Sequence, residues 1–292
     1  MSETFTEYYR DFKQQKGTTV KGMLRDVALS GLAAISSEHA LDKPRVHFIY
    51  IHHVFRDEEA ALDGLLQRLS KQHTFISYTE AVNKVLSRKI DKPYVTFSSD
   101  DGLKNNLPAA RILQKHGASA CFFINPGIIG EKNYNNIKQH CTETLRAPVV
   151  AFLDWKEVNE LQTMGHEIGG HTMMHMNIAE QSAEAVNTDL RMTMKVLREH
   201  CGEVVHFAFP YGRFFHFSSV GRKAVYDAGF TTCATAERGC HITDGTPIAN
   251  TELCIRRDHI VLGWPMSHIM YFLINSAKKA AVSNNFYPPE LI

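Results

Sequence analysis

The chain has 292 residues, is 44% hydrophobic and 22% charged, and carries a formal net charge of +1. That is the composition of a globular protein able to bury a large core without covalent staples. The near-zero charge excludes a global field that would draw nucleic acid or an anionic membrane, and no run approaches the ~18 apolar residues of a spanning helix.

The first residues, MSETFTEYYRDFKQQKG, lack the basic and apolar stretches of a secretory signal. Six cysteines at irregular spacing read as free, buried thiols. Both features lead us to expect a cytoplasmic protein. Residues 1–45 read as an N-terminal helical extension, and 46–292 as the main domain. Thr4-x-x-Glu7 predicts a capping box opening a short helix. The stretch MLRDVALSGLAAISS has an apolar helical stripe, which is expected to pack on the barrel. A partner subunit, and so a homo-oligomer, or a membrane surface are the other fates of such a stripe.

From Arg45 onward strands and helices alternate. VHFIYI predicts a buried strand, followed by a helix over 57–71 with Leu62, Leu65, Leu66 and Leu69 on one face. FIS is a short strand, and Ser77-x-x-Glu80 caps the next helix. YVTFS is a second buried strand ending in SDDG. A helix then runs from about Leu107 to Gly117, and SACFFI is another strand. The polar, Asn-rich residues 125–150 read as an inserted loop. Asp154-x-x-Glu157 caps a further helix, HEIGG begins a strand, and a long helix spans about 180–200. HFAF, FTTCAT and LCIRR are the late strands, with helices near 218–228 and 265–280. About seven such units predict an α/β fold with a parallel sheet, closed or nearly closed into a barrel. A doubly wound open sheet is the alternative.

In parallel α/β folds the site lies at the carboxyl ends of the strands. Three strand ends carry the chemistry here: Asp100-Asp101, His171 with His175, and Pro210-Tyr211-Gly212. Two imidazoles four residues apart share a face if the turn between them is helical, and one cation can take both. With 16 histidines in the chain, chance pairs at this spacing are expected. Asp-Asp-Gly is equally an ordinary turn signal. Adjacent carboxylates at a strand end project differently, however, so one can hold a metal while the other takes a proton from water.

TFSSDDG, EIGGHTMMH and FAFPYG, in this order, resemble the polysaccharide deacetylase family of carbohydrate esterases. That family's motifs are T-F-D-D-G, H-[ST]-x-x-H and a third ending in P-[FY]-G. IYIHHV, CFFINPG, GFTTCATAERG and IRRDHI resemble further segments of one branch, so the likeness covers about residues 46–262. The resemblance implies a distorted (β/α)7-type barrel. It implies Asp100 as catalytic base, and Asp101, His171 and His175 as ligands of a divalent metal, zinc with nickel or cobalt as alternatives. It also implies a backbone N–H at Tyr211 as oxyanion donor.

The chain departs from the family pattern at two places. Ser98-Ser99 stand where the motif has Thr-Phe, either substituted in place or realigned by a bulge. Ala208 and Phe209 stand where an arginine paired with the base is usual, and Arg257 is the candidate replacement, with Arg256 second. The general acid is expected from His52, then His259, with His53 a third candidate. The expected function is removal of an acyl group, N-acetyl first, from an amino sugar that is nucleotide-linked, lipid-linked or part of a short glycan. O-deacetylation, deformylation and a non-catalytic carbohydrate-binding role are the alternatives. Trp155 and Trp264 are read as packing residues.

Overall fold

A computed structural model describes residues 4–16, 20–34 and 36–292. Helices α1 (Tyr9–Lys16) and α2 (Val20–Ala34) open the chain. The Thr4–Glu7 box does not form, because residues 4–8 are not helical. Instead the Asp57 carboxylate accepts the N–H of Tyr9 at 2.7 Å and of Arg10 at 3.1 Å. A cap from a distant segment does the work of a local one, with a negative charge at the positive end of the helix.

The barrel follows as β1 (Arg45–Ile51), α3 (Glu59–Leu69), β2 (Thr74–Phe75), α4 (Tyr78–Leu86) and β3 (Pro93–Asp101). Next come α5 (Asn106–Lys115), β4 (Ala120–Ile124), α6 (Tyr134–Gln139), α7 (Trp155–Thr163) and β5 (Glu167–Gly170). The remainder is α8 (Ala183–Cys201), β6 (His206–Ala208), α9 (Ser219–Asp227), β7 (Thr232–Ala234), β8 (Cys254–Ile255), β9 (Asp258–His259) and α10 (Met266–Lys278). Capping boxes form at Ser77–Glu80 and Asp154–Glu157. The stripe in α2 meets α10, where Ser30 Oγ lies 2.9 Å from His268 Nε2, yet it leaves Leu24, Val27 and Leu32 exposed.

All strand pairs are parallel, in the order β8-β7-β6-β5-β4-β3-β1-β9, with β2 beside the start of β3. The order never reverses in the middle, so this is a curled barrel and not the doubly wound alternative. One edge strand is β8 and the other is β9, and only Arg256 and Arg257 separate them in sequence. The two edges must therefore lie within a few residues' reach, roughly 10 Å. One extended segment, 254–259, serves both edges, and its two halves with β1, β3, β4, β5, β6 and β7 make seven staves.

Alternate residues along each strand face opposite sides. Val46, Phe48, Tyr94, Cys121, Phe123, Ala208, Ala234 and Ile255 form one apolar cluster inside the curl, which Tyr78, Ala81, Val82 and Val85 of α4 join. The opposite parity, including Ile49, Val95, Phe97, Phe122 and Phe207, packs against the surrounding helices. The 125–150 segment is more than a loop. It contains α6, which runs into a π-helical turn at His140–Leu145, and it buries Ile137, Cys141 and Val150 against Phe55, Leu103 and Phe152.

Candidate active site

A cleft of about 310 Å³ opens at the carboxyl ends of the strands and exposes Asp100, Asp101, His171, His175, Tyr211, His52 and His259 to one space. Ser98 and Ser99 pair without a break with both β1 and β4, so the serines are substituted in place and no bulge realigns the strand. The parity that sends Phe48 and Tyr94 inward also sends Ser98 and Asp100 inward.

There Asp100 meets Arg257 as two parallel hydrogen bonds, Nη1 to Oδ1 at 2.7 Å and Nη2 to Oδ2 at 2.9 Å. Arg257 also donates to Ser98 Oγ at 3.2 Å and Thr235 O at 3.1 Å, and its guanidinium stands 4.5 Å from the Tyr50 ring centroid. Burial by itself works against ionisation of Asp100. The facing guanidinium overrides it and holds this carboxyl well below the usual range. Arg256 turns the other way, onto the Phe214 ring.

Asp101 has a φ of +77°, which swings it out of the strand and toward the histidines. Its Oδ1 lies 3.5 Å from His171 Nε2 and 3.6 Å from His175 Nε2. The spacing His171–His175 is not bridged by a helix. It is a turn in which Thr172 has φ +60° and His175 φ +61°, which brings both rings round to Asp101. His171 Nδ1–H donates to Ala208 O at 2.6 Å, leaving Nε2 with its lone pair toward Asp101.

The three residues fit a divalent ion. A tetrahedral ion with bonds of about 2.1 Å separates its ligand atoms by about 3.4 Å, close to what these atoms show. Asp101 Oδ1 is buried with no hydrogen-bond partner. Burial, and then the neighbouring Asp100 charge, push the Asp101 carboxyl up to about 8, a cost that a cation would remove. Burial also pushes His171 down to about 4 and His175 well down, so both imidazoles are neutral and available as ligands.

The acid candidates come together. His52 Nδ1 lies 3.2 Å from His259 Nε2, and burial pushes both histidines down, against the opposing pull of Asp100. His53 stacks on Phe55 with ring centroids 5.1 Å apart. Tyr211 has φ +62°, and its ring packs edge-on against His175. Gly212 must be glycine, since a Cβ there would meet that of Ala236 at 2.3 Å. Trp155 stacks on His200, and Trp264 packs near Phe272.

Several contributors were not singled out from sequence. Asn125 donates through Nδ2 to the carbonyls of His171 and Thr172, and Asp189 accepts from Met173 N–H at 3.0 Å, so both clamp the histidine turn. Asn125 is the residue just after a strand, a position that could have flagged it. Arg238 bridges Asp258 Oδ1 at 2.9 Å and His259 O at 2.7 Å, while Asp258 Oδ2 meets His47 Nε2 at 2.5 Å. This buried network supports β9, and nothing in residue spacing announces it.

Fold and site together define a seven-stave α/β barrel with a triad of residues able to hold a metal and a paired carboxylate at its strand ends. The chain belongs to the polysaccharide deacetylase family, whose model matches residues 87–233. A chitooligosaccharide deacetylase of Azorhizobium caulinodans is 33% identical over 125 residues, 41% of this chain and 47% of that protein, so the chain spans about half the length of the curated relative it matches. Among solved structures, IcaB from Ammonifex degensii superposes with a TM-score of 0.63 at 18% identity, covering 81% of this chain and 98% of that one. A de-N-acetylase from Aggregatibacter actinomycetemcomitans gives 0.61 at 16% identity, covering 78% and 99%. Both share the fold.

Proposed function

We propose that the protein hydrolyses the acyl amide of an amino sugar, N-acetyl first, with Asp101, His171 and His175 holding a divalent metal. The observation that carries this reading is the opposite state of two neighbouring carboxyls: Asp100 fully paired with Arg257, Asp101 buried without a partner beside two neutral imidazoles. Family membership and the sugar substrate named for the curated relative support the substrate class.

Zinc is the expected ion, with nickel or cobalt as alternatives, and when bound it polarises the acyl carbonyl and acidifies water. Asp100, kept ionised by Arg257, takes the proton of the attacking water. The Tyr211 N–H faces the developing oxyanion, held by a turn that Pro210 and Gly212 shape. The proton taken by Asp100 passes on to the leaving amine through the His52–His259 pair, with His52 the leading donor, so the pair is charged only in passage. The six free cysteines support a cytoplasmic setting, and with it a nucleotide-linked, lipid-linked or short-glycan substrate of surface-polysaccharide biosynthesis.

The test is acetate release from N-acetylated sugars by zinc-loaded protein and by Asp100→Asn. Stoichiometric zinc with acetate release that the variant loses supports the reading. Saccharide binding with neither zinc uptake nor acetate release makes the chain a carbohydrate-binding protein on the same scaffold.

A further inference from the structure

The N-terminal segment crosses the mouth of the cleft. Thr6 N–H donates to Val149 O at 2.8 Å on the 125–150 insertion, and Phe5 stands edge-on to Tyr134 of the same insertion at 5.5 Å. Glu7 O accepts from Arg56 N–H at 3.2 Å on the loop after β1, and the Glu7 carboxylate lies 3.3 Å from Arg56 Nη1. Asp57, on that same loop, holds the first two N–H groups of α1. The Tyr9 ring packs 6.3 Å from that of Phe55 and lies over Gly263, where a Cβ would come within 2.2 Å of it. Residues 5–10 therefore touch three separate rims: the insertion, the loop after β1 and the loop after β9.

This fastening brings Tyr9 and Phe12 into the lining of the same cleft as Asp100 and the histidines. The bridge spans the loops that follow β9, β1 and β4, on the β9–β1–β3–β4 side of the barrel. On the β6 side the floor residue Tyr211 is exposed. A polymer bound through an interior sugar must leave a cleft in both directions. A cleft walled on one side accepts a sugar only at a chain end, or a free one, and about 310 Å³ is near the lower bound for a small-molecule site.

We propose that Tyr9 and Phe12 form an end wall that restricts the site to a terminal or free acylated sugar. The wall deepens the deacylase reading and rests on it for the identity of the ligand. Aromatic faces suit the role, being large, rigid and apolar against the C–H face of a sugar ring.

The test is the affinity of the full chain, in the Asp100→Asn background, for glucosamine pentamers N-acetylated either at the two end sugars only or at the central sugar only, measured by titration calorimetry. With the wall intact, the end-acetylated pentamer binds at least about tenfold more tightly than the centrally acetylated one. Tyr9→Ala/Phe12→Ala gains about tenfold for the centrally acetylated pentamer, roughly 1.4 kcal/mol. Asp57→Ala, which loosens the fastening from outside the cleft, moves the same way by less and carries the test if the double variant fails to fold. Equal affinity for the two pentamers in the parent overturns the wall, as does an end preference unchanged in a folded variant. Acetate release by the wild-type chain is scored separately, so a failed deacylase with an intact end preference separates the two readings.

Discussion

Asp100 and Asp101 are chain neighbours in opposite circumstances. The chain itself completes Asp100, through a forked pair with a fully buried arginine. It leaves Asp101 incomplete, buried and facing two neutral imidazoles. A buried carboxylate needs a cation in either case. One cation is covalently part of the fold, and on the proposed reading the other is taken from solution.

The contrast can be broken in stages. The largest effect is expected from Asp100→Asn, which lowers acyl release about 10²- to 10⁴-fold while leaving zinc uptake intact, read by acetate assay and metal analysis. Arg257→Leu strands Asp100 and costs about 3–5 kcal/mol in urea unfolding, and adding Asp100→Asn to it restores most of the loss. If Arg257→Leu is neutral, the pair is not what holds Asp100. Asp101→Asn behaves oppositely. Without metal its stability stays within about 1 kcal/mol of the parent, because the parent carboxyl, raised to about 8, is already mostly neutral at pH 7. With zinc at 100 times its Kd the parent gains about 2.7 kcal/mol and the variant does not.

A smaller effect belongs to Glu58, a third buried carboxyl, on the rim. Its Oε1 has no partner, and burial pushes it up from 4.5 to about 7. The folded value lies above the unfolded one, so the neutral form is the one stabilised. That contribution is complete below about pH 4.5 and lost as pH rises to about 7. Glu58→Gln should therefore stabilise the chain by about 1–3 kcal/mol at pH 8 and by nothing at pH 4, read from urea midpoints.

Much of the barrel was legible because buried strands and capped helices leave local marks. VHFIYI and YVTFS are apolar runs, and Ser77 and Asp154 stand three residues before their glutamates. What was not legible was made by distant partners. Thr4 lost its predicted role because Asp57 caps α1 from 48 residues away. The turn at His171–His175 departs from a helix because Asn125 and Asp189 hold its backbone groups. The helix in 125–150 was hidden by a polar composition in which only a few residues, Ile137 and Cys141 among them, point to a core. LCIRR read as one strand, while the structure breaks it between Ile255 and Asp258 so that its halves can serve opposite edges.

That broken stave sets an order of events during synthesis. Every residue of the triad has been made once residue 175 has been added, but the partner of Asp100 and the strand that closes the sheet follow some eighty residues later, in one short segment. The triad residues thus precede closure, and closure of the sheet and the pairing of Asp100 become a single late step. A chain cut before Arg256 would keep the triad residues and lose the charge that keeps Asp100 ready.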